Sequence, residues 1–319
     1  MTVALAPGKA ILCGEYAVLH GAPAISVATD RSVRAWIAPG SGTALSPFVV
    51  AALQQVAAEL RKLNRPTEQL LQSGAIGVDS TALYEKENKL GLGSSAAVTV
   101  AVTGAALASA GVELADKRRL FELADQAHAT AQGTRGSGVD VATSVWGGAI
   151  RFQRKGGHAE ISSVELPDDL RLTFVFTGKS ASTAELIGRV KALAERDPAA
   201  HEAAIGRLVW QAHAFAAAIA DKDASALLHA ADGYHEAMRE LGVAAGAEIV
   251  TAEHAQLAAL ARRNGGAAKP SGAGGGDLGV AFTVGGEATR ALREDLERAG
   301  LTPLSVGAPA PGLRLEMES

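Results

Sequence analysis

The stretch KLGLGSSAAVTVA, Lys89 to Ala101, decides how the fold of the rest of the chain is interpreted. Two glycines precede Ser94 and Ser95, which open a nearly all-apolar segment. This segment predicts a buried helix over residues 94–110. The N-terminus of such a helix presents N–H groups, hydroxyls and the positive end of the helix dipole to an anion. We therefore predict a phosphate-binding loop in which either serine hydroxyl contacts phosphate oxygens or Mg²⁺. A capped helix after an ordinary turn is the simpler alternative.

The composition of the chain excludes several classes of protein. Its 319 residues are 48% hydrophobic and 20% charged, which is typical of a folded protein. A net charge of −4 argues against nucleic-acid and anionic membrane partners, so a phosphorylated ligand must be held by local donors. The single cysteine, Cys13, excludes a disulfide framework and a multi-cysteine metal site. We expect a cytoplasmic monomer or homodimer without a signal peptide or a membrane span.

The same loop also fits the fingerprint of dinucleotide-binding folds, but its flanks do not. Gly91 to Ala96 matches G-x-G-x-x-A, which requires an apolar strand before it and an acidic residue after a second strand. Here the preceding segment YEKENK is polar, and residues 112–121 indicate the start of a helix. A nicotinamide-dependent oxidoreductase is therefore disfavoured, and the Walker A pattern does not occur in the sequence.

Hydrophobic periodicity divides the chain into a strand-rich first part and a helix-rich later part. The pattern predicts strands within 2–37 and over 148–153, 158–165 and 170–177, and helices over 47–64 (with Ser46 as N-cap), 94–110 and 115–132. After residue 182 it predicts helices over 198–221, 223–241 and 249–263, a glycine-rich loop at 271–277, a strand at 278–284 and a helix at 286–299. We interpret this as two joined α+β lobes, 1–178 and 179–319. A single continuous unit is the alternative.

Two other glycine-rich segments carry charged residues that could perform chemistry. Lys9 lies in an apolar stretch, where a charge is unfavourable without a partner. It is therefore either aimed at a phosphate or carboxylate or exposed on an edge strand. Asp140 lies in a glycine-flanked turn before a short helix, where it could cap the helix, accept a proton or orient a nucleophile. Arg135 beside it could hold an anionic substrate.

A further segment, KPSGAGGGDLGVAF from Lys269 to Phe282, places three consecutive glycines before Asp277. Ordering so flexible a loop is entropically unfavourable if it serves only as a connector. We therefore expect its backbone to lie against a ligand. Asp277 is expected to hold the loop by bonding its own backbone amides.

Taken in order, three segments resemble the three motifs of the GHMP kinase family. PGKAILCGEYAVLHG (7–21) resembles the N-terminal motif, GLGSSAAVTVA (91–101) the ATP-phosphate loop, and PSGAGGGDLGVAF (270–282) the C-terminal glycine loop. The resemblance implies a two-lobed α+β fold, with a first lobe of the ribosomal S5 domain 2 type and a ferredoxin-like second lobe with added helices. It also implies ATP and Mg²⁺ as cofactors, and Lys9 and Asp140 as the catalytic pair.

Within the family, several segments resemble the members that phosphorylate phosphomevalonate more than those that phosphorylate mevalonate. They are Gly14-Glu15-Tyr16, the loop Lys89 to Ser95 without a preceding proline, AHATAQGTRGSGVDVA (127–142), TGKSASTAEL (177–186) and SGAGGGDLG (271–279). The resemblance thus implies transfer of the ATP γ-phosphoryl group to (R)-5-phosphomevalonate, in the mevalonate pathway of isoprenoid biosynthesis. Mevalonate or another small alcohol, such as homoserine, is the alternative acceptor. A nucleotide sensor without catalysis is disfavoured, because it has no need for both Lys9 and Asp140.

The resemblance assigns roles to individual residues. It implies that the ATP phosphates are bound by Gly91, Leu92, Gly93, Ser94, Ser95 and Ala96, with Ser94 or Ser95 near Mg²⁺. For the acceptor it implies Tyr16, Arg135, Ser137, Lys179, Ser180, Ser182, Thr183, Gly274 and Gly275, with Lys269 as a further candidate cation. An acidic Mg²⁺ ligand is not assigned, and Glu122 and Asp125 are candidates by position alone. His128 is expected to pack within its helix, and Cys13 to be a buried apolar side chain.

Overall fold

Two antiparallel sheets with helices packed on them form the fold. The computed structural model describes residues 1–38, 40, 45–67, 70, 75–85, 88–178 and 182–317. The first sheet contains β1 (Thr2–Cys13), β2 (Ala24–Ile37), β3 (Ile76–Asp79), β6 (Ala149–Lys155), β7 (His158–Val164) and β12 (Arg314–Met317). Its order is β12-β1-β2-β6-β7, with β3 paired to β2. A short hairpin, β4 (Tyr84–Glu85) and β5 (Asn88–Lys89), leads into the predicted phosphate loop.

The helices of the first lobe cover the face of this sheet. They are α1 (Pro47–Lys62), α2 (Ser94–Ser109), α3 (Lys117–Gln132) and α4 (Val139–Trp146). The α2 helix is apolar on nearly all sides because it packs against β1, β2, α1 and α3. Ser46 caps α1 by accepting a hydrogen bond from the Val49 amide, as the sequence predicted. The predicted helices 47–64, 94–110 and 115–132 are confirmed with small changes at their ends.

The second sheet and its helices occupy the later part of the chain. The strands are β8 (Leu170–Phe176), β9 (Ala267–Ser271), β10 (Leu278–Val284) and β11 (Thr302–Pro303), in the order β11-β8-β10-β9. The helices are α5 (Thr183–Arg196), α6 (Pro198–Ala220), α7 (Ala224–Ala245), α8 (Ala252–Arg263) and α9 (Gly286–Arg298). Helices α7 and α8 pack on the edge strand β9, and all five residues of this strand are buried. The predicted α+β class is therefore confirmed.

Strand pairing bears on where the lobes meet. The boundary near residue 178 stays a prediction, yet β8 already pairs with β10 of the second sheet. The last strand, β12, returns to pair with β1 of the first sheet. By sheet membership, residues 170–176 belong to the second sheet and residues 314–317 to the first. Sequence periodicity could not reveal this return, because β12 carries only four residues.

One described helix, α6, is long and apolar enough to cross a membrane by length and composition, with a mean hydropathy of 1.2. In the fold it is a core helix. Its residues Leu208, Ala212 and Phe215 are buried, and it packs against α7 and the turn Ala17–His20. The buried residues make up 39% of its most apolar stretch.

Candidate active site

The predicted phosphate loop lies directly on Lys9 of β1. The Lys9 amide donates a 2.9 Å hydrogen bond to the Leu92 carbonyl. The loop residue Gly93 has φ +73°, and a Cβ built there would lie 2.7 Å from Cε of Lys9. Only glycine combines this backbone conformation with so close an approach. A register shift between Pro7 and Lys9 interrupts the β1–β2 ladder at this point, so Lys9 and the loop meet where β1 departs from regular pairing.

Lys9 and Asp140 lie together at this loop. The Lys9 Nζ is 3.5 Å from the Asp140 Oδ2. The lysine side chain is 5% exposed and the aspartate side chain 34% exposed, so the pair has one buried and one accessible member. Asp140 stands in the first turn of α4, while the N-cap position belongs to Gly138. The helix-capping alternative for Asp140 is therefore wrong, and its carboxylate is available to the site.

The serine pair opens α2 as predicted, and one of the two has a partner that the sequence did not indicate. Nε2 of His128 lies 3.2 Å from Oγ of Ser95. The His128 ring also packs against Phe48, with ring centroids 5.2 Å apart. Burial lowers the pKa of His128, and Asp140 and Asp125 oppose this shift. The expectation that His128 only packs within its own helix was wrong, because its ring lies between three helices.

A charged cluster holds the loop that precedes Asp140. Asp125 is buried, and its Oδ2 accepts hydrogen bonds from Arg154 at 2.6 Å and from Arg135 at 3.2 Å. The Arg154 Nε donates to the Ser137 carbonyl at 2.7 Å, which ties the loop to β6. Gly138 has φ +87°, and a Cβ there would lie 2.6 Å from both Asp125 and Arg154. Arg135 stays 60% exposed on the solvent side of this cluster.

The two acidic candidates for Mg²⁺ are both engaged with arginines. Asp125 bonds Arg154 and Arg135, whereas Glu122 lies 3.6 Å from Arg119. Within the described residues, no group of three or more His, Cys, Asp or Glu side chains could hold a metal ion. Oxygen donors at the loop include the hydroxyls of Ser94 and Ser95. Such a set fits Mg²⁺ that is bound mainly by nucleotide phosphates and water, which is a common mode for this ion.

The C-terminal glycine loop is anchored to the first motif by polar contacts. The Tyr16 hydroxyl donates to the Ala273 carbonyl at 2.6 Å, and the Ile11 amide donates to Ser271 Oγ at 2.9 Å. Burial and the nearby Glu15 raise the pKa of Tyr16, which keeps its hydroxyl protonated as a donor. A Cβ at Gly91 would lie 2.8 Å from Cβ of Asp277, so this loop also touches the phosphate loop. The three glycine-rich motif segments, 7–21, 91–101 and 270–282, therefore converge on one site.

Lys269 is part of this anchor and not a substrate cation. Its Nζ is fully buried and lies 2.5 Å from Oε1 of Glu15. The same carboxylate accepts a hydrogen bond from the Gly272 amide at 3.1 Å. The suggestion that Lys269 contacts an acceptor phosphate was wrong, because strand β9 turns this side chain into the core between the lobes. The motif had no feature that distinguishes a buried lysine from a ligand-facing one.

Two of the remaining predicted acceptor residues line a cavity of about 410 Å³ near the glycine loop. Ser182 and Gly275 line it, together with Arg189 and Glu248. Ser182 caps α5 through the Glu185 amide, and Thr183 is the first residue of that helix. Gly274 and Gly275 rest on Ile249, whose carbonyl accepts a 2.8 Å hydrogen bond from the Gly275 amide. Lys179 and Ser180 lie outside the described residues.

Comparisons with known proteins agree with this geometry. The family model described as GHMP kinases N terminal domain matches residues 69–148, which include the phosphate loop and Asp140. The chain is 32% identical to the phosphomevalonate kinase of Streptomyces sp. strain CL190, over 97% of each chain. It is 28% identical to the mevalonate kinase of Thermococcus onnurineus, over 98% of each chain.

A solved structure shows the same fold. The phosphomevalonate kinase of Streptococcus pneumoniae, in complex with phosphomevalonate and AMPPNP, matches with a TM-score of 0.82 and 20% identity, over 96% of this chain and 99% of that one. A likeness at this identity concerns the fold. Together with the sequence match over nearly the whole chain and the convergence of the three glycine-rich segments, it identifies the chain as a member of the GHMP kinase family.

Proposed function

We propose that this protein transfers the γ-phosphoryl group of ATP to (R)-5-phosphomevalonate, giving 5-diphosphomevalonate and ADP. A phosphate oxygen of the acceptor forms the new bond to the γ-phosphorus, and the bond from this phosphorus to the β,γ-bridging oxygen breaks. Positioning and charge stabilisation dominate such reactions. The observation that carries the proposal is the Lys9–Asp140 pair, which lies against the phosphate loop with Nζ 3.5 Å from Oδ2.

Lys9 is proposed to reduce the repulsion between donor and acceptor phosphates. Its stem packs against Gly93 of the loop, and its buried ammonium group is oriented by Asp140. An alcohol acceptor needs a base, because its pKa lies far above neutrality. A phosphate acceptor has a second pKa near ~6 and is mostly dianionic at neutral pH. For this acceptor, Asp140 orients Lys9 and need not take a proton.

The nucleotide phosphates are proposed to bind the amides of residues 91–96 and the hydroxyls of Ser94 and Ser95. The N-terminus of α2 adds the positive end of its dipole. Mg²⁺, when bound, neutralises part of the charge on the transferred group. The hydroxyls of Ser94 and Ser95 are the groups that would hold it, through oxygen atoms that suit this ion.

The acceptor phosphate and carboxylate are proposed to lie near Arg135. Asp125 already has a shorter contact to Arg154, so the charge of Arg135 is available on the solvent side. Ser137, Ser182, Thr183, Gly274 and Gly275 remain proposed acceptor contacts, as do Lys179 and Ser180. Tyr16 would act through its ring and through the loop it holds, since its hydroxyl bonds Ala273.

Mevalonate kinase is the second candidate function. The observation in its favour is the set of mevalonate kinases from several archaea that match the chain, one at 34% identity over 61% of this chain. Asp140 would then be the base that accepts the hydroxyl proton of mevalonate.

ADP release separates the two candidates. The purified protein is mixed with Mg²⁺-ATP and either (R)-5-phosphomevalonate or (R)-mevalonate, in parallel. Turnover of the phosphorylated acceptor alone is the expected result. Turnover of mevalonate alone would overturn the acceptor assignment and leave the ATP loop as proposed.

A further inference from the structure

We infer that His128 is a positioning residue that fixes the Ser95 hydroxyl toward the bound nucleotide. The inference rests on the proposed ATP-dependent activity, but it does not depend on which acceptor is used. The sequence left both Ser94 and Ser95 open as the hydroxyl that faces Mg²⁺ and phosphate. The contact from Nε2 of His128 to Oγ of Ser95, at 3.2 Å, distinguishes them.

The Ser95 hydroxyl needs a hydrogen-bond partner to hold it in one orientation. A serine side chain can adopt three staggered rotamers about its Cα–Cβ bond, and at a helix start its hydroxyl can turn to solvent or back to the backbone. The Ser95 carbonyl accepts a bond from the Thr99 hydroxyl at 2.8 Å, which fixes the backbone but not Oγ. Among the described residues, no comparable side-chain bond to the Ser94 hydroxyl is present. His128 therefore selects one of two otherwise similar serines.

His128 is itself held rigidly enough to do this. It stands on α3, one turn after the buried Asp125, and Phe48 of α1 packs on its ring with centroids 5.2 Å apart. Asp125 in turn is fixed by Arg154 of β6 at 2.6 Å. The groups that face the imidazole are thus Ser95 from α2, Phe48 from α1, and the carboxylates of Asp125 and Asp140. Three helices determine the position of Nε2.

With this hydrogen bond in place, the Ser95 hydroxyl can still bind a cation or a phosphate oxygen in either tautomer of His128. If the Ser95 hydroxyl donates its hydrogen bond to Nε2, both Oγ lone pairs stay available for a cation. If Nε2 donates, Oγ keeps one lone pair and its own O–H for a phosphate oxygen. In both cases Oγ occupies one fixed place, so less rotational freedom is lost when the nucleotide binds.

Binding of Mg²⁺-ATP in the absence of acceptor tests this inference through a double-mutant cycle. His128→Phe keeps a ring against Phe48 and removes Nε2, whereas His128→Gln keeps a donor and an acceptor at a similar reach. We expect His128→Phe and Ser95→Ala each to weaken Mg²⁺-ATP binding by about tenfold, the effect of one lost hydrogen bond. The double variant should bind no more weakly than Ser95→Ala alone. His128→Gln should restore most of the affinity.

Ser94→Ala is the matched control in the same cycle. Its effect should multiply with that of His128→Phe, because the two side chains do not act through each other. Acceptor binding should change little in His128→Phe. Multiplying effects for His128→Phe and Ser95→Ala would overturn the inference, as would wild-type affinity in His128→Phe or a failure of His128→Gln to restore binding. A wild-type protein that does not bind Mg²⁺-ATP would instead overturn the proposed function.

Discussion

The Lys9 side chain has one contact for its stem and another for its charge. The stem packs on Gly93, and the ammonium group lies 3.5 Å from Asp140. Lys9→Met keeps the stem and removes the charge. We expect kcat to fall by about 10²-fold or more, because a preorganised charge at the transferred group is lost. Thermal unfolding should change little, because the partner carboxylate remains partly exposed. Near wild-type kcat in this variant would contradict the assigned role.

Asp140→Asn separates an orienting carboxylate from a general base. If Asp140 only orients Lys9, kcat should fall by roughly 10- to 100-fold, and the pH–rate limb near the second pKa of the acceptor phosphate, ~6, should remain. The measurement is kcat against pH with (R)-5-phosphomevalonate. Nearly complete loss of activity together with disappearance of that limb would indicate general base catalysis instead.

Arg135 and Arg154 share one carboxylate but should behave differently when removed. Arg135 is 60% exposed, so Arg135→Ala should raise the KM for phosphomevalonate about tenfold or more and leave stability nearly unchanged. Arg154→Ala leaves the buried Asp125 without its nearest cation and should destabilise the fold by about 3 kcal/mol. Steady-state kinetics and denaturant unfolding of both variants test the contrast. Equal effects on KM would remove Arg135 from the acceptor site.

At the scale of the elements, Gly93 of the phosphate loop lets the start of α2 approach Lys9 of β1 closely. Gly93 and Gly111 both have positive φ, at +73° and +68°, but only a Cβ at Gly93 would meet another atom. Gly93→Ala should therefore reduce kcat by at least about tenfold, through displacement of Lys9. Gly111→Ala should cost only about 1 kcal/mol of stability from backbone strain, with kcat unchanged. Similar kinetics in the two variants would show that Lys9 tolerates the displacement.

Most helices and strands could be predicted from hydrophobic periodicity and from the residues at their ends. The contacts between these elements could not. Ser46 and the apolar run after Ser94 predicted α1 and α2, because capping and burial patterns are local properties of the chain. The contact between His128 and Ser95 joins residues 33 positions apart, and the sequence between them gives no register for it. Lys269 was likewise misassigned, because the face of strand β9 on which its side chain lies, and not the residue type, decides where its ammonium group is placed.

At the scale of the whole molecule, buried histidines predict acid sensitivity. Burial lowers the pKa of His254 to about 4. A backbone hydrogen bond at Leu278 and the charge of Glu253 oppose this shift, whereas His235 and Lys269 act in the same direction as burial. The unfolded chain binds the proton near pH 6.5 and the folded protein near pH 4, so stability falls as the pH drops between these values. The loss of stability is complete below pH 4 and amounts to about 3 kcal/mol.

Denaturant unfolding between pH 7 and pH 4.5 measures this loss. His254→Gln should flatten the pH dependence, whereas His158→Gln on the exposed edge strand β7 should leave it unchanged. An unaltered slope in His254→Gln would mean that other groups cause the acid sensitivity. The measurement uses the full chain, because the helix that carries His254 packs on β9 and β10, and His254 therefore reports on the folded second lobe.

The sequence by itself determined the α+β class, most elements and the candidate pair Lys9 and Asp140. These depend on local periodicity, on glycines beside charged residues and on the order of three motifs. Only the tertiary structure decided which charged residues face the site and which hold it together. Lys269 is buried against Glu15, Asp125 against two arginines, and His128 lies against Ser95. The physical reason is that desolvation and pairing of a side chain depend on strands and helices distant in sequence, which no local pattern encodes.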